Sequence, residues 1–82
     1  MGDLLSHFGQ AVRRQRELLR VSQEELADRA GVDRTYLSGI ERGIRNPTLK
    51  TIDRLSRSLG VEMEVLFASV GEIRRGSEPR EN

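Results

Sequence analysis

The chain contains no cysteine, which excludes disulfides and thiolate metal sites. His7 is its one histidine, and a single imidazole leaves too few ligands for a zinc site. No apolar run approaches the roughly 20 residues that a membrane-spanning helix needs, and no secretory signal is visible. A soluble, cytoplasmic protein is expected, with no cofactor. Glycines are scattered at helix ends and termini rather than gathered into a phosphate-binding loop. There is no internal repeat and no alternating strand pattern. Asp3, Ser6 and His7 offer the residue types of a hydrolytic triad. Neighbours on one helical turn cannot assemble nucleophile, base and oxyanion hole. His7 is therefore read as a surface residue and the chain as a non-enzyme.

Its 82 residues make one domain with a small core, which would gain stability from dimerisation. The net charge of +1 is too small to indicate nucleic acid by itself. Its distribution says more. Arg34, Arg42, Arg45 and Lys50 gather around one short segment, opposed only by Asp33 and Glu41. Lys50 is the single lysine among 14 basic residues. Arginine suits bidentate contacts to guanine and phosphate, although codon bias explains much of the excess.

That segment is the second half of Gln23 to Gly43, which reads as two short helices joined by a tight turn. Ser22 and Glu25 have the spacing of a capping box, and Val21 and Leu26 that of a hydrophobic staple. The first of the two helices runs to Ala30 and buries Leu26, Ala27 and Ala30. Gly31 supplies the left-handed residue that a sharp turn needs. Asp33 caps the next helix, with Val32 and Leu37 as a second staple. This helix runs to about Arg42 and buries Leu37, Ile40 and Glu41. Small Ala27 allows a close crossing, and Leu37 and Ile40 face back onto it. Such spacing is that of a helix-turn-helix, whose second helix enters the DNA major groove. An αα-hairpin without a ligand is the alternative that spacing leaves open.

The remaining helices enclose this pair. A helix from Asp3 to about Leu19, capped by Asp3 or Ser6, carries the stripe Leu4, Leu5, Phe8, Val12 and Leu19. After the loop Ile44 to Pro47, Thr48 caps a fourth helix whose inner face is Leu49, Ile52, Leu55 and Leu59. Gly60 and Val61 fit a Schellman ending. A fifth helix, 62–74, carries Met63, Val65, Leu66, Phe67, Val70 and Ile73, more apolar surface than one face requires. The expected architecture is an all-α, compact five-helix domain over 1–75, with 76–82 a disordered tail.

SQEELADRAGVDRTYLSGIERG followed by RNPTLKTIDRLSRSLGV resembles the Cro and phage-repressor type of helix-turn-helix family, often called XRE. The resemblance spans about Phe8 to Phe67 and implies a lambda-repressor-like fold. Within the family, DRTYLSGIERGIRNPTL is similar to the controller proteins of restriction–modification systems, small dimers that bind palindromic operators. Two positions depart from the pattern. Arg20 stands where the family has glycine, so the turn is either built differently or holds Arg20 in a strained conformation. Gln15 stands where an apolar residue is common.

The resemblance implies a sequence-specific transcriptional regulator that binds double-stranded DNA as a homodimer. In this docking mode Arg34, Thr35 and Ser38 face base edges. Gln23, Tyr36, Arg42, Arg45, Asn46 and Lys50 are placed to touch the DNA backbone. Tyr36 reads equally well as a partly buried core aromatic, and Lys50 as a solvated surface charge. Gly39 carries no side chain to read with and would let the backbone approach DNA. By the same resemblance, Arg16 and Glu41 form a salt bridge behind the recognition helix. Met63, Val65, Leu66, Phe67 and Val70 are assigned to the dimer interface, with core packing the other reading of Leu66 and Phe67. Acidic Glu24, Glu25 and Asp28 offer a surface to RNA polymerase, or simply a solvated face. The rival function is an antitoxin or adaptor of the same fold whose main partner is another protein.

Overall fold

The structure, a computed structural model, describes residues 3–77, and these form five helices without a strand. Each helix starts where a short polar side chain can take over an open backbone donor. α1 (Leu4–Leu19) is capped by Asp3, whose Oδ1 accepts from the Ser6 amide at 2.8 Å. Ser22 caps α2 (Gln23–Ala30) by accepting from Glu25 N at 3.0 Å. The Glu25 carboxylate does not complete the capping box; it accepts from Arg29 one turn on. Asp33 caps α3 (Arg34–Glu41), and Thr48 caps α4 (Leu49–Leu59). α5 spans Met63–Ser77.

The helix ends are as informative. Gly31 and Gly60 are left-handed, with φ of 69° and 73°. Val61 N bonds back to Ser56 O at 3.0 Å, closing the Schellman turn after α4. Arg20 performs the same turn after α1, at φ 62° and ψ 41°. It is the one non-glycine residue with positive φ among those described. The strained alternative is therefore the one adopted. The turn brings the Val21 amide to Arg16 O at 3.2 Å and feeds Val21 into the core.

All five helices contribute to a single apolar cluster, in which Val12, Leu26, Leu37, Ile40, Leu55 and Leu66 are fully enclosed. α1 packs on α3 and α5, and α2 on α3 and α4. The α1–α3 crossing is close because of Gly9. A β-carbon there would overlap the carbonyls of Ile40 and Glu41 in the last turn of α3. Across the other side of α1, Gln15 Nε2 donates to the buried Ser69 Oγ at 3.1 Å. The polar residue at a commonly apolar position thus has a polar partner on α5.

Several expectations need correction. Leu49 is not on the inner face of α4 but 74% exposed, because it is the first helical residue and precedes the buried row. Leu4 and Leu19, at the two ends of α1, likewise lie outside the buried stripe. His7 is not a surface residue: it is only 4% exposed, and neither ring nitrogen has a partner. α5 continues through Gly76 and Ser77, past the point where the tail was to begin. The remainder of that tail, 78–82, lies outside the described residues.

A left-handed conformation costs an L-residue with a β-carbon about 1–2 kcal/mol, and glycine returns part of this through the entropy of its unfolded chain. Arg20→Gly is expected to stabilise the fold by about 0.5–1 kcal/mol. Urea unfolding should show a raised midpoint at unchanged slope; a lowered midpoint would mean that the Arg20 side chain contributes more than its backbone costs.

Candidate nucleic-acid interface

The first turn and a half of α3 is exposed where the turn from α2 delivers it. Arg34 and Thr35 are exposed and Ser38 partly so, while Leu37, Ile40 and Glu41 face inward. Arg34 and Ser38, four residues apart, share one row of α3, while Leu37 and Ile40, three apart, share the row turned to the core. Arg34, Thr35 and Ser38 line one cleft of about 210 Å³ together with Gln23 from the start of α2. The helix-turn-helix thus brings the three proposed base-facing residues and one proposed backbone contact into a single place. Tyr36 is half-buried, with its ring against the core.

Arg42, Arg45, Asn46 and Lys50 are exposed around the C-terminal end of α3 and the loop that follows. Among the described residues, none of Arg34, Arg42, Arg45 and Lys50 takes part in an ion pair. The arginines that do are 13, 14, 16, 29 and 57. The cationic groups around α3 are therefore available to an anionic ligand. The loop is tied to the helix it follows. Gly43 turns the chain at φ 78°, and the Ile44 amide bonds back to Gly39 O at 2.9 Å.

Behind the exposed face sits one buried carboxylate. Glu41 Oε2 accepts from Arg16 Nε at 2.7 Å, and Oε1 accepts from Arg16 Nη2 at 3.1 Å and from Gln23 Nε2 at 2.9 Å. The Glu41 side chain is 3% exposed. Arg16 also donates from Nη1 to Val21 O at 2.9 Å, so its planar guanidinium joins α1, the α1–α2 turn and α3. An anion at the C-terminal end of α3 opposes the helix dipole, and burial adds to its cost. Three charge-oriented donors offset both. The hydrogen bond to Glu41 raises the Arg16 pKa above its ordinary value, against the lowering effect of burial.

Gln23 therefore has a partner that its sequence position does not disclose: its amide is held by Glu41. A second contact was equally hidden. A β-carbon on Gly39 would stand 2.5 Å from Cγ of Arg45, so the Arg45 stem lies directly on α3. A glycine inside a helix was the available signal, because glycine is a poor helix former kept where something approaches closely.

Of the residues assigned to a dimer interface, Leu66 and Val70 are buried within the single chain. Val65 and Phe67 are each 43% exposed, and Met63 is partly exposed at the start of α5. Phe67 also meets Phe8 of the core, with ring centroids 6.1 Å apart. The surface that α5 leaves for another molecule is therefore Val65 and the outer part of Phe67, flanked by Met63.

Residues 12–66 match the family model described as helix-turn-helix. The chain belongs to that family. Control protein C.BamHI of Bacillus amyloliquefaciens is 45% identical over 67 residues, covering 78% of this chain and 83% of its own. An uncharacterized HTH-type transcriptional regulator of Mycobacterium tuberculosis is 41% identical over 63 residues. Those residues are 77% of this chain but only 45% of that regulator, so the present chain spans less than half its length. Among solved structures, the restriction–modification controller protein C.Esp1396I bound to a 25 base-pair operator site superposes with a TM-score of 0.82. It is 33% identical, over 92% of this chain and 99% of that one. Variants of C.Esp1396I have been solved with an arginine, a threonine and a tyrosine replaced at three consecutive positions. The members of the helix-turn-helix family found are regulators, and among the described residues no cluster of metal-ligating side chains occurs. No described helix is long and apolar enough to cross a membrane.

Removing the Glu41 carboxylate would strand the Arg16 guanidinium in a largely buried site. Glu41→Ala is expected to cost about 3–5 kcal/mol, read as a lowered denaturant midpoint. An unchanged midpoint would show that the pair plays no part in holding the helices.

Proposed function

We propose that this chain is a sequence-specific transcriptional regulator that binds a two-fold symmetric operator as a homodimer, in the manner of a restriction–modification controller protein. The observation that carries the reading is the operator-bound relative, which aligns over nearly the whole chain. The geometry agrees with it. α3 presents Arg34, Thr35 and Ser38 beyond the protein surface, where a helix can enter the major groove. Arg34, Thr35 and Tyr36 have the same types and order as the three residues varied in that relative. Arg34 donates two hydrogen bonds to guanine O6 and N7, and Thr35 meets a base edge or thymine methyl. Arg42, Arg45, Asn46 and Lys50 hold the sugar–phosphate backbone, as does Gln23 through the start of α2. The cytoplasm, where bacterial DNA lies, is the implied site of action.

Dimerisation places two α3 helices about 34 Å apart, one turn of DNA. Val65, Phe67 and Met63 supply the apolar contact. RNA polymerase is the second partner in this reading, reached through the exposed Glu24 and Asp28 of α2. A protein partner in place of DNA, as for an antitoxin, has no comparable support in the geometry.

The test is selection of bound duplexes from a random library, with Arg34→Ala in parallel. The wild type should recover a symmetric motif. The variant should lose discrimination at one guanine in each half, worth about 1–3 kcal/mol. Binding without sequence enrichment, dependent on salt alone, would contradict the reading. Val65→Glu should sediment as a monomer at concentrations where the wild type is a dimer; an unaltered dimer would move the interface elsewhere.

A further inference from the structure

Gly39 is an interior residue of a short helix, where alanine would be the better helix former. It is nevertheless buried, and what covers it is the side chain of Arg45. An ideal β-carbon on Gly39 would lie 2.5 Å from Arg45 Cγ and 3.5 Å from both Cδ and Nε. The loop is built to place the stem there. Gly43 reverses the chain in the left-handed conformation, and its own missing β-carbon lets it pass Ser6 Cα at a distance no side chain would allow. The Ile44 amide then bonds to Gly39 O itself, fixing the loop to the residue that its next side chain covers.

The position matters because of the helical repeat. Gly39 follows Thr35 by four residues, so the two occupy one row on α3. The Arg45 stem continues that row where α3 has no side chain of its own. Arg45 is exposed and has no ion-pair partner among the described residues. Packing the stem against a rigid helix removes rotamer freedom before any ligand arrives, which lowers the cost of binding.

We propose that Gly39 is a positioning residue: by lacking a β-carbon it seats the Arg45 stem on α3 and directs the guanidinium to the DNA backbone beside the bases that Thr35 faces. This rests on the DNA-reading function proposed above. Gly39 acts through Arg45 and reads no base. Its role differs from simply letting the helix backbone approach DNA, because the volume it leaves open is occupied by the protein itself.

The experiment compares wild type, Gly39→Ala, Arg45→Ala and the double variant on one operator duplex, by fluorescence anisotropy across a range of salt. Thermal melts accompany each protein. Alanine favours the helix while its β-carbon displaces the Arg45 stem at Cγ, so Gly39→Ala should stay folded at the assay temperature, which the melts check. It should nevertheless bind severalfold more weakly, and its slope of log affinity against log salt should fall by about one, as for Arg45→Ala. The double variant should bind no worse than Arg45→Ala alone. Wild-type affinity in Gly39→Ala would overturn the proposal. So would a loss that persists undiminished in the Arg45→Ala background, because the added methyl would then be meeting DNA directly. Failure of the wild type to prefer any duplex would be visible before the variants are compared, and would remove the DNA-reading function itself.

Discussion

The carboxylate of Glu41 is the point at which three helices are held to one another. It stands at the C-terminal end of α3, where the dipole repels it, and in a site that excludes water. It is held there because Arg16 from α1 and Gln23 from α2 direct three donors at its two oxygens. Apolar packing alone is non-directional and would leave α3 some freedom to rotate or slide on its neighbours. A bidentate guanidinium contact has a plane and a direction. It therefore fixes the face that α3 turns outward, a function distinct from adding stability.

The surrounding structure is arranged so that this contact can form. Gly9 lets α1 approach the last turn of α3 to backbone distance, which brings Arg16, two turns along α1, within reach of Glu41. The left-handed Arg20 returns the chain so that Val21 O meets the same guanidinium. Local strain at Arg20 is thus coupled to the correct seating of Arg16. On the outer side of α3 the consequence is the shared cleft of Gln23, Arg34, Thr35 and Ser38. Gln23 belongs to both systems: its side chain is bound to the buried carboxylate, while its backbone opens α2 beside Arg34, Thr35 and Ser38.

The helices were readable from local chemistry. Asp3, Ser22, Asp33 and Thr48 are caps because short acceptors at those positions serve the next turn's amides, and Gly31 and Gly60 end helices because only local sterics decide it. The departure at Arg20 is visible in the sequence, but which of its two alternatives holds is not; the structure takes the left-handed one. Tertiary facts were less legible. The same apolar letters put Leu37 in the core and Leu49 in solvent, since burial depends on where a helix begins relative to its neighbours. His7 is polar, and polarity predicts exposure on average, yet it lies among helices that enclose it. For the candidate site, periodicity located Arg34, Thr35 and Ser38 on one side of α3. The hold of Glu41 on Gln23 and the seating of Arg45 on Gly39 join residues across turns, and no spacing rule encodes the path of a loop.

The most direct test of the central claim is a double-mutant cycle between Arg16→Met and Glu41→Leu, followed by denaturant unfolding. If the two side chains hold α1 and α3 through one another, each single variant strands its partner and is strongly destabilised. Removing both then abolishes the buried charge, so the double variant should be more stable than the sum of the two losses by at least about 2 kcal/mol. Additive losses would contradict the account and assign the placement of α3 to apolar packing alone.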